Sequence, residues 1–136
     1  MSPALLDTDI LSELFKLRNV AVRQKSLDYS RLHGQLAISM MTQYEVVRGY
    51  KDQQATTQLA RFRNFCANSL VLPVSESILE RAADLWVLAG RGGFSRNDAD
   101  LIIAATALEH GRILVTGNLS HFNWIPVLTL EDWRQP

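Results

Sequence analysis

The segment ALLDTDIL, residues 4–11, decides how this chain folds. Its first half is a short apolar run, which predicts a buried strand over residues 3–7, with Asp7 at its end. The apolar residues that follow recur at helical spacing, so we expect a helix over residues 9–15 with Thr8 or Asp9 as its N-cap. A strand that leads through an acidic turn into a helix is typical of α/β proteins.

The rest of the chain repeats this alternation of short apolar runs with longer amphipathic stretches. It predicts an α/β fold in three layers, with a central, mostly parallel sheet of four to five strands and helices on both faces. The glycine-rich stretch at residues 90–97 is expected to be a flexible loop. The further predicted strands are residues 36–40, 70–74, 113–116 and 126–129, and the further predicted helices are residues 20–32, 42–51, 55–68, 75–89 and 98–110.

Composition limits the protein class. A chain of 136 residues fits one domain, and its 14 basic and 14 acidic residues cancel, which argues against a general nucleic-acid coat protein. The single cysteine, Cys66, can form no internal disulfide, which fits a reducing cytoplasm. No apolar run approaches the roughly 20 residues that span a bilayer, and the first residues lack the pattern of a signal peptide. We therefore expect a cytoplasmic protein that does not enter membranes.

Three acidic residues stand beside apolar runs far apart in the sequence: Asp7, Glu45 and Asp100. The carboxyl ends of parallel strands meet at one edge of a sheet, so the fold can bring these side chains together. Three carboxylates about 5 Å apart would repel one another by on the order of 3 kcal/mol per pair. A divalent cation such as Mg²⁺, which prefers oxygen ligands, is the simplest reason for them to coexist.

Each acid also has a purely structural interpretation. Asp7 could serve only as a turn or cap residue, and Glu45 could complete a capping box with Thr42 by reaching back to its amide. Asp98 is a natural N-cap for the helix that follows it. Asp100 begins the apolar part of a helix that should be buried, which favours a functional role for this residue.

The histidines do not indicate a zinc site. His33 and His110 fall at predicted helix ends, where they would interact with the helix dipole. His121 is isolated in the sequence, and we interpret it as a surface-loop residue rather than a catalytic one.

Four segments occur in a characteristic order: LLDTDILSEL (5–14), SMMTQYEVVRG (39–49), NDADLIIAATA (97–107) and LVTGN (114–118), the last followed by His121 and Phe122. Together they resemble the motifs of PIN-domain ribonucleases, most closely the VapC-like toxins of bacterial toxin–antitoxin pairs. The closing LEDW (130–133) is also similar. The resemblance runs nearly end to end, so it implies a single PIN domain over residues 1–136.

The resemblance further implies an endoribonuclease that depends on Mg²⁺ or Mn²⁺, cleaves transfer RNA or another structured RNA, and is inhibited by a cognate antitoxin. A homodimer is also implied. Asp7, Glu45 and Asp100 carry over as metal ligands and Asp98 as an auxiliary one. Thr8, Thr116 and Asn118 would orient carboxylates or water.

Two positions depart from the family pattern. Position 9 is often asparagine in the family and is aspartate here, which adds negative charge near the site. Position 118 is often an acid and is asparagine here, which weakens any second metal site. Asn118 can still accept a hydrogen bond through its carbonyl or orient a water.

Contacts to RNA are expected from the glycine-rich loop. Arg91 and Arg96 could bind flanking phosphates, with solvated loop charges as the alternative. Phe94 could stack on a base, although an aromatic at the edge of the core is the interpretation that we favour.

Two rival functions remain open at this point. Asp7-Thr8-Asp9 after a strand resembles the nucleophile motif of haloacid-dehalogenase-like phosphatases, in which Asp7 would be the nucleophile. Against this, Leu11 replaces the usual Thr or Val, and no strand precedes Asp98 and Asp100. The other rival is a catalytically inactive PIN-type module, which only Asn118 favours.

Overall fold

The computed structural model describes all of residues 1–136 and contains five strands and seven helices. The strands are short, three residues or fewer, and each is preceded or followed by a helix. The elements in chain order are β1 (Ala4–Leu6), α1 (Thr8–Lys16), α2 (Val20–His33), β2 (Ala37–Ser39), α3 (Met40–Asp52), α4 (Thr56–Ala67), β3 (Leu70–Leu72), α5 (Glu76–Gly92), α6 (Asp98–Glu109), β4 (Ile113–Val115), α7 (Leu119–Phe122) and β5 (Leu130–Glu131).

All strand pairs are parallel, which confirms the predicted α/β class. Hydrogen bonds join β1, β4 and β5 into one ladder and β2 and β3 into another. Strands β1 and β2 lie side by side, so the two ladders form one central layer without a continuous set of hydrogen bonds. The predicted central sheet of four to five strands is thus present as two adjacent ladders, one of three strands and one of two.

The core lies in two parts, one on each face of this central layer. Successive residues of a strand point to opposite faces. In β1, Leu5 therefore packs in the same cluster as residues of α5 and α6, while Ala4 and Leu6 pack in the cluster that contains α1 and α2 residues. The three-layer arrangement follows directly from this alternation.

Helix α6 is buried over most of its length, as its composition predicts. Leu101 and the run Ile103–Ala107 are at most 2% exposed. This helix is apolar around most of its circumference, and its charged residues lie only at its two ends, Asp98 and Asp100 in the first turn and Glu109 in the last. Its position against α3, α5 and β4 fixes where that first turn, with Asp100, can lie.

Two predicted boundaries were wrong. The glycine-rich loop is shorter than expected, since α5 continues to Gly92 and ends at Gly93, whose φ of 73° suits a left-handed C-cap. The last strand begins at Leu130 instead of residue 126. Pro126 has no N–H to donate to a ladder, and Val127 has a φ of 67°, so no strand can form there.

The short helix α7 was not predicted, because one turn carries no readable periodicity. It places Phe122 in the core and His121 on the surface beside the first turn of α6. None of the helices is both long and apolar enough to cross a membrane.

The strained turn at Val127 yields a test of the fold. A β-branched residue with positive φ costs roughly 1–2 kcal/mol, more than the entropy that glycine adds to the unfolded chain. Val127 is 94% exposed, so Val127→Gly removes little packing and should raise the melting temperature. The matched control, Val20→Gly at the start of α2, should lower it slightly. A lower melting temperature for Val127→Gly would show that this turn is not as described.

Candidate functional site

Asp7 lies at the centre of the site, at the carboxyl end of β1. It is 4% exposed and is the N-cap of α1, one residue earlier than predicted. Its Oδ1 accepts a hydrogen bond from the Thr8 amide at 2.8 Å, and its Oδ2 accepts one from the Thr116 hydroxyl at 2.8 Å. Both carboxylate oxygens are therefore held in place, one by α1 and one by the end of β4.

The charge of Asp7 is costly in this position. Burial raises the pKa of Asp7 to about 7, and the charges of Asp9 and Asp100 act in the same direction. The hydrogen bonds from Thr116 and Thr8 oppose the rise in pKa without cancelling it. Near neutral pH this carboxylate is therefore poised to gain either a proton or a cation.

Asp100 enters the site from the first turn of α6. Asn97, not Asp98 as predicted, is the N-cap of this helix, because its Oδ1 accepts the Asp100 amide at 3.0 Å. Burial raises the pKa of the Asp100 carboxyl and Asp9 adds to the rise, while the contact with His121 lowers it. Asp100 thus contributes to the raised pKa of Asp7, and Asp9 contributes to the raised pKa of both carboxyls.

His121 was not predicted to belong to the site. Its Nδ1 lies 3.1 Å from Asp100 Oδ2, so the imidazole orients this carboxylate. His121 lies at the surface as predicted, but in helix α7 and not in a loop, and its contact with Asp100 was missed because α7 was not recognised. The only signal in the sequence was that His121-Phe122 follows LVTGN, in the segment that resembles the fourth motif of the family.

Glu45 reaches the site from α3. Its Oε1 accepts a hydrogen bond from the Thr8 hydroxyl at 2.9 Å, and Arg48 lies 3.9 Å from its other oxygen. The capping-box interpretation was wrong, since α3 begins at Met40 with Ser39 as N-cap. Thr8 therefore connects two of the predicted ligands, through its amide to Asp7 and through its hydroxyl to Glu45.

The turn after β4 supports Asp7 and Asp9 together. The Thr116 hydroxyl, which donates to Asp7, accepts the Asn118 amide at 3.0 Å. Gly117, which lies between these two residues, donates its amide hydrogen to Asp9 Oδ2 at 2.8 Å. The structure thus places Thr116 against Asp7, and Asp9 is a fourth carboxylate of the cluster.

The other predicted residues lie further out. Asp98 borders a hollow next to Trp86 of α5 and makes no contact with the other acids. The Arg96 guanidinium lies over the Trp86 ring at 3.8 Å from its centroid, and the Phe94 ring stacks on Trp124 at 5.0 Å. Arg91 is exposed near the end of α5, and Asn118 is exposed beside the cluster.

The donor set fits a hard divalent cation. Asp7, Asp9, Glu45 and Asp100 offer only carboxylate oxygens, and burial together with the charges of Asp9 and Asp100 raises the pKa of Asp7. No three such side chains converge tightly enough, as they stand, to enclose an ion. An ion here would be held by few protein ligands and would keep several waters, as Mg²⁺ commonly does.

An apolar groove adjoins Glu45 between α1 and α3. Its floor is formed by Leu11, Phe15, Val46 and Tyr50, and Thr8 and Glu45 lie at its rim. Glu45 therefore borders both the carboxylate cluster and a surface able to accept apolar side chains.

Comparison with known proteins places this geometry in a family. Residues 4–123 match the model of the PIN domain. The tRNA(fMet)-specific endonuclease VapC of Shigella flexneri is 28% identical over 130 residues, which cover 95% of this chain and 96% of the relative. Ribonuclease VapC10 of Mycobacterium tuberculosis is 31% identical over 118 residues, or 87% of this chain and 84% of the relative.

Structural comparison agrees. The crystal structure of DNA-bound VapBC from Salmonella typhimurium contains a chain that superposes with a TM-score of 0.85 at 25% identity, covering 98% of this chain and 99% of the other. None of these comparisons favours a haloacid-dehalogenase-like phosphatase. The geometry also opposes it, because Asp100 lies in a helix and not after a strand.

The raised pKa of Asp7 predicts an unusual dependence of stability on pH. The folded state binds the Asp7 proton more tightly than the unfolded chain, so the metal-free protein should lose stability as pH rises from about 4 to about 7. The difference between the ordinary pKa of 3.8 and about 7 corresponds to roughly 4 kcal/mol at most. The Asp7→Asn variant should lose less stability over this pH range. The measurement is thermal unfolding of both proteins in EDTA from about pH 5 to about pH 8. An identical pH slope in both proteins would contradict the prediction.

Proposed function

The chain belongs to the PIN-domain family, among its VapC-like ribonucleases, and we propose that it hydrolyses RNA with a Mg²⁺ or Mn²⁺ ion held by Asp7, Glu45 and Asp100. One observation supports this function above all. Asp7 is buried at a strand end with a pKa of about 7, and other carboxylates are its electrostatic neighbours. A protein without use for a cation would gain stability by replacing one of these acids. The whole chain would act as one domain.

The residues around the acids would keep them in a fixed orientation. Thr116 and the Thr8 amide fix the two oxygens of Asp7, and His121 holds one oxygen of Asp100. A divalent ion, when bound, supplies polarisation of a phosphate oxygen and lowers the pKa of a water ligand. Asn118 is exposed beside Thr116, where its side-chain amide would orient a water, and Asp98 would serve as an auxiliary acid at the start of α6.

The proposed substrate is a structured RNA, which includes transfer RNA. The neutral net charge gives no broad affinity for nucleic acid, so selectivity would come from the shape of the RNA around the site. Arg91 and Arg96 are the proposed phosphate contacts. Arg96 would have to bind RNA from the open side of its stack on Trp86.

The proposed partner is an antitoxin that occupies the groove between α1 and α3. Leu11, Phe15, Val46 and Tyr50 would accept the apolar face of such a protein, and Glu45 at the rim would attract a basic side chain. Occupying this groove would block the carboxylate cluster directly. We also propose a homodimer, as the family resemblance implies.

The central test is cleavage of a structured RNA by the purified protein. Cleavage should require Mg²⁺ or Mn²⁺ and stop in EDTA, and Asp7→Asn should lower kcat/KM by more than about 100-fold because a metal ligand is lost. Asp28→Asn, an exposed acid on α2 that pairs with Arg31, should cleave like the unsubstituted protein. Equal cleavage by Asp7→Asn, or cleavage unaffected by EDTA, would remove the proposed mechanism.

His121 gives a second test, based on pH. Because its contact lowers the pKa of Asp100, His121→Gln should raise that pKa and leave Asp100 protonated over a wider range. The loss of cleavage should therefore be larger at about pH 6 than at about pH 8. His33→Gln, which changes a histidine at the end of α2, is the control. A loss of equal size at both pH values would mean that His121 has only a packing role.

A further inference from the structure

The C-terminal segment brings a cation to the edge of the carboxylate cluster. Arg134 donates from Nε to Asp132 Oδ1 at 3.1 Å and from Nη2 to Asp132 Oδ2 at 3.0 Å. The same Nη2 also donates to the Gly117 carbonyl at 3.1 Å. A two-bond pair of this kind fixes the plane of the guanidinium and not merely its distance.

This segment is anchored on both sides of Arg134. Trp133 is 1% exposed in the core and donates its indole N–H to Glu131 at 3.1 Å. Lys25 of α2 donates to the carbonyl of Gln135. Arg134 is therefore held against the turn after β4 instead of extending freely into solvent.

Gly117 is the contact that Arg134 shares with Asp9. The Gly117 amide donates to Asp9 Oδ2, while its carbonyl accepts from Arg134. A Cβ at this position would clash with the Arg134 guanidinium and would lie 2.7 Å from Asp9 Oδ2. A side chain at residue 117 would therefore displace Arg134 or Asp9, because the cation and the carboxylate approach the same side of its backbone.

The charges of these residues oppose one another. Asp9 raises the pKa of both Asp7 and Asp100, so its negative charge acts on two proposed ligands. The hydrogen bond to Asp132 and the charges of Asp132, Asp9 and Glu13 raise the pKa of Arg134, so the guanidinium keeps its charge. None of the proposed catalytic steps uses Arg134.

We propose that Arg134 is the resident cation of the carboxylate cluster: across Gly117 it offsets the charge of Asp9 and thereby limits how tightly the cluster holds a divalent ion. Arg134 is a positioning residue, since it acts through Asp9 and the Gly117 peptide without contacting Asp7. This role rests on the proposed function, in which Asp7, Glu45 and Asp100 bind the ion.

The test is calorimetric titration of Mn²⁺ into the RNA-free protein. Removing one positive charge at the edge of the carboxylate cluster should tighten binding about three- to tenfold in Arg134→Gln. Arg134→Lys keeps the charge and should bind as the unsubstituted protein does. Asp9→Asn should bind more weakly by a similar factor, and the double variant should return near the original affinity.

Arg81→Gln is the matched control. Arg81 is also a partly exposed arginine in an ion pair, but its partner Glu109 lies at the end of α6 opposite to Asp100. Its substitution changes the net charge equally and should leave the Mn²⁺ affinity unchanged. An equal shift in Arg81→Gln and Arg134→Gln, no shift in Arg134→Gln, or the same shift in Arg134→Lys would overturn the proposal.

Failure of the proposed function gives a different pattern. If the unsubstituted protein binds no Mn²⁺, or if Asp7→Asn binds it equally well, the metal site itself is wrong. Thermal unfolding in EDTA then still tests the pairing, because Arg134→Gln should lower the melting temperature more in the original protein than in Asp9→Asn. Equal changes in the two backgrounds would show that Arg134 and Asp9 do not interact.

Discussion

The structure depends on one constraint, the placement of a buried carboxylate at the end of β1. Asp7 is almost inaccessible, so its charge cannot be stabilised by bulk water. Two hydrogen bonds, from the Thr8 amide and the Thr116 hydroxyl, are its nearest compensation. The first comes from α1, which follows β1 in the chain, and the second comes from the residue after β4, which pairs with β1. The site therefore has this geometry only when α1 and the end of β4 are both in place.

The parallel arrangement of the strands explains why the remaining acids arrive at the same edge. Strands β1 and β4 are neighbours in register, and Asp7 and Thr116 each follow the last paired residue of their strand. Helix α6 precedes β4 and runs in the opposite direction across the layer, which returns its first turn to this edge. Because α6 is buried on most sides, Asp100 has little freedom to move away from Asp7 and Asp9.

Much of the fold and part of the site could be predicted because they depend on local patterns. Asp7 and Asp100 stood out as charges attached to apolar runs, and both lie where that logic puts them. Glu45 was harder to interpret, since Thr42 offered an equally good cap and only the structure shows that Ser39 caps α3. His121 and Arg134 could not be found, because their contacts depend on a one-turn helix and on the docking of the C-terminal segment.

Three residues moderate the negative charge of the acids, and of these Thr116 was predicted from the sequence while His121 and Arg134 were missed. Asp7 is moderated by a neutral hydroxyl, Asp100 by an imidazole, and Asp9 by a guanidinium across Gly117. If the negative charge of the carboxylates were fully neutralised, the metal-free fold would be more stable, but no electric field would remain to attract a cation. If that charge had no compensating partners, the fold would lose stability. The three partners differ in charge, and Arg134, the permanent cation among them, reaches the cluster through the Gly117 peptide and not through a contact with Asp7. Such partial compensation of the carboxylates is what allows the site to stay folded without a metal and still bind a divalent ion.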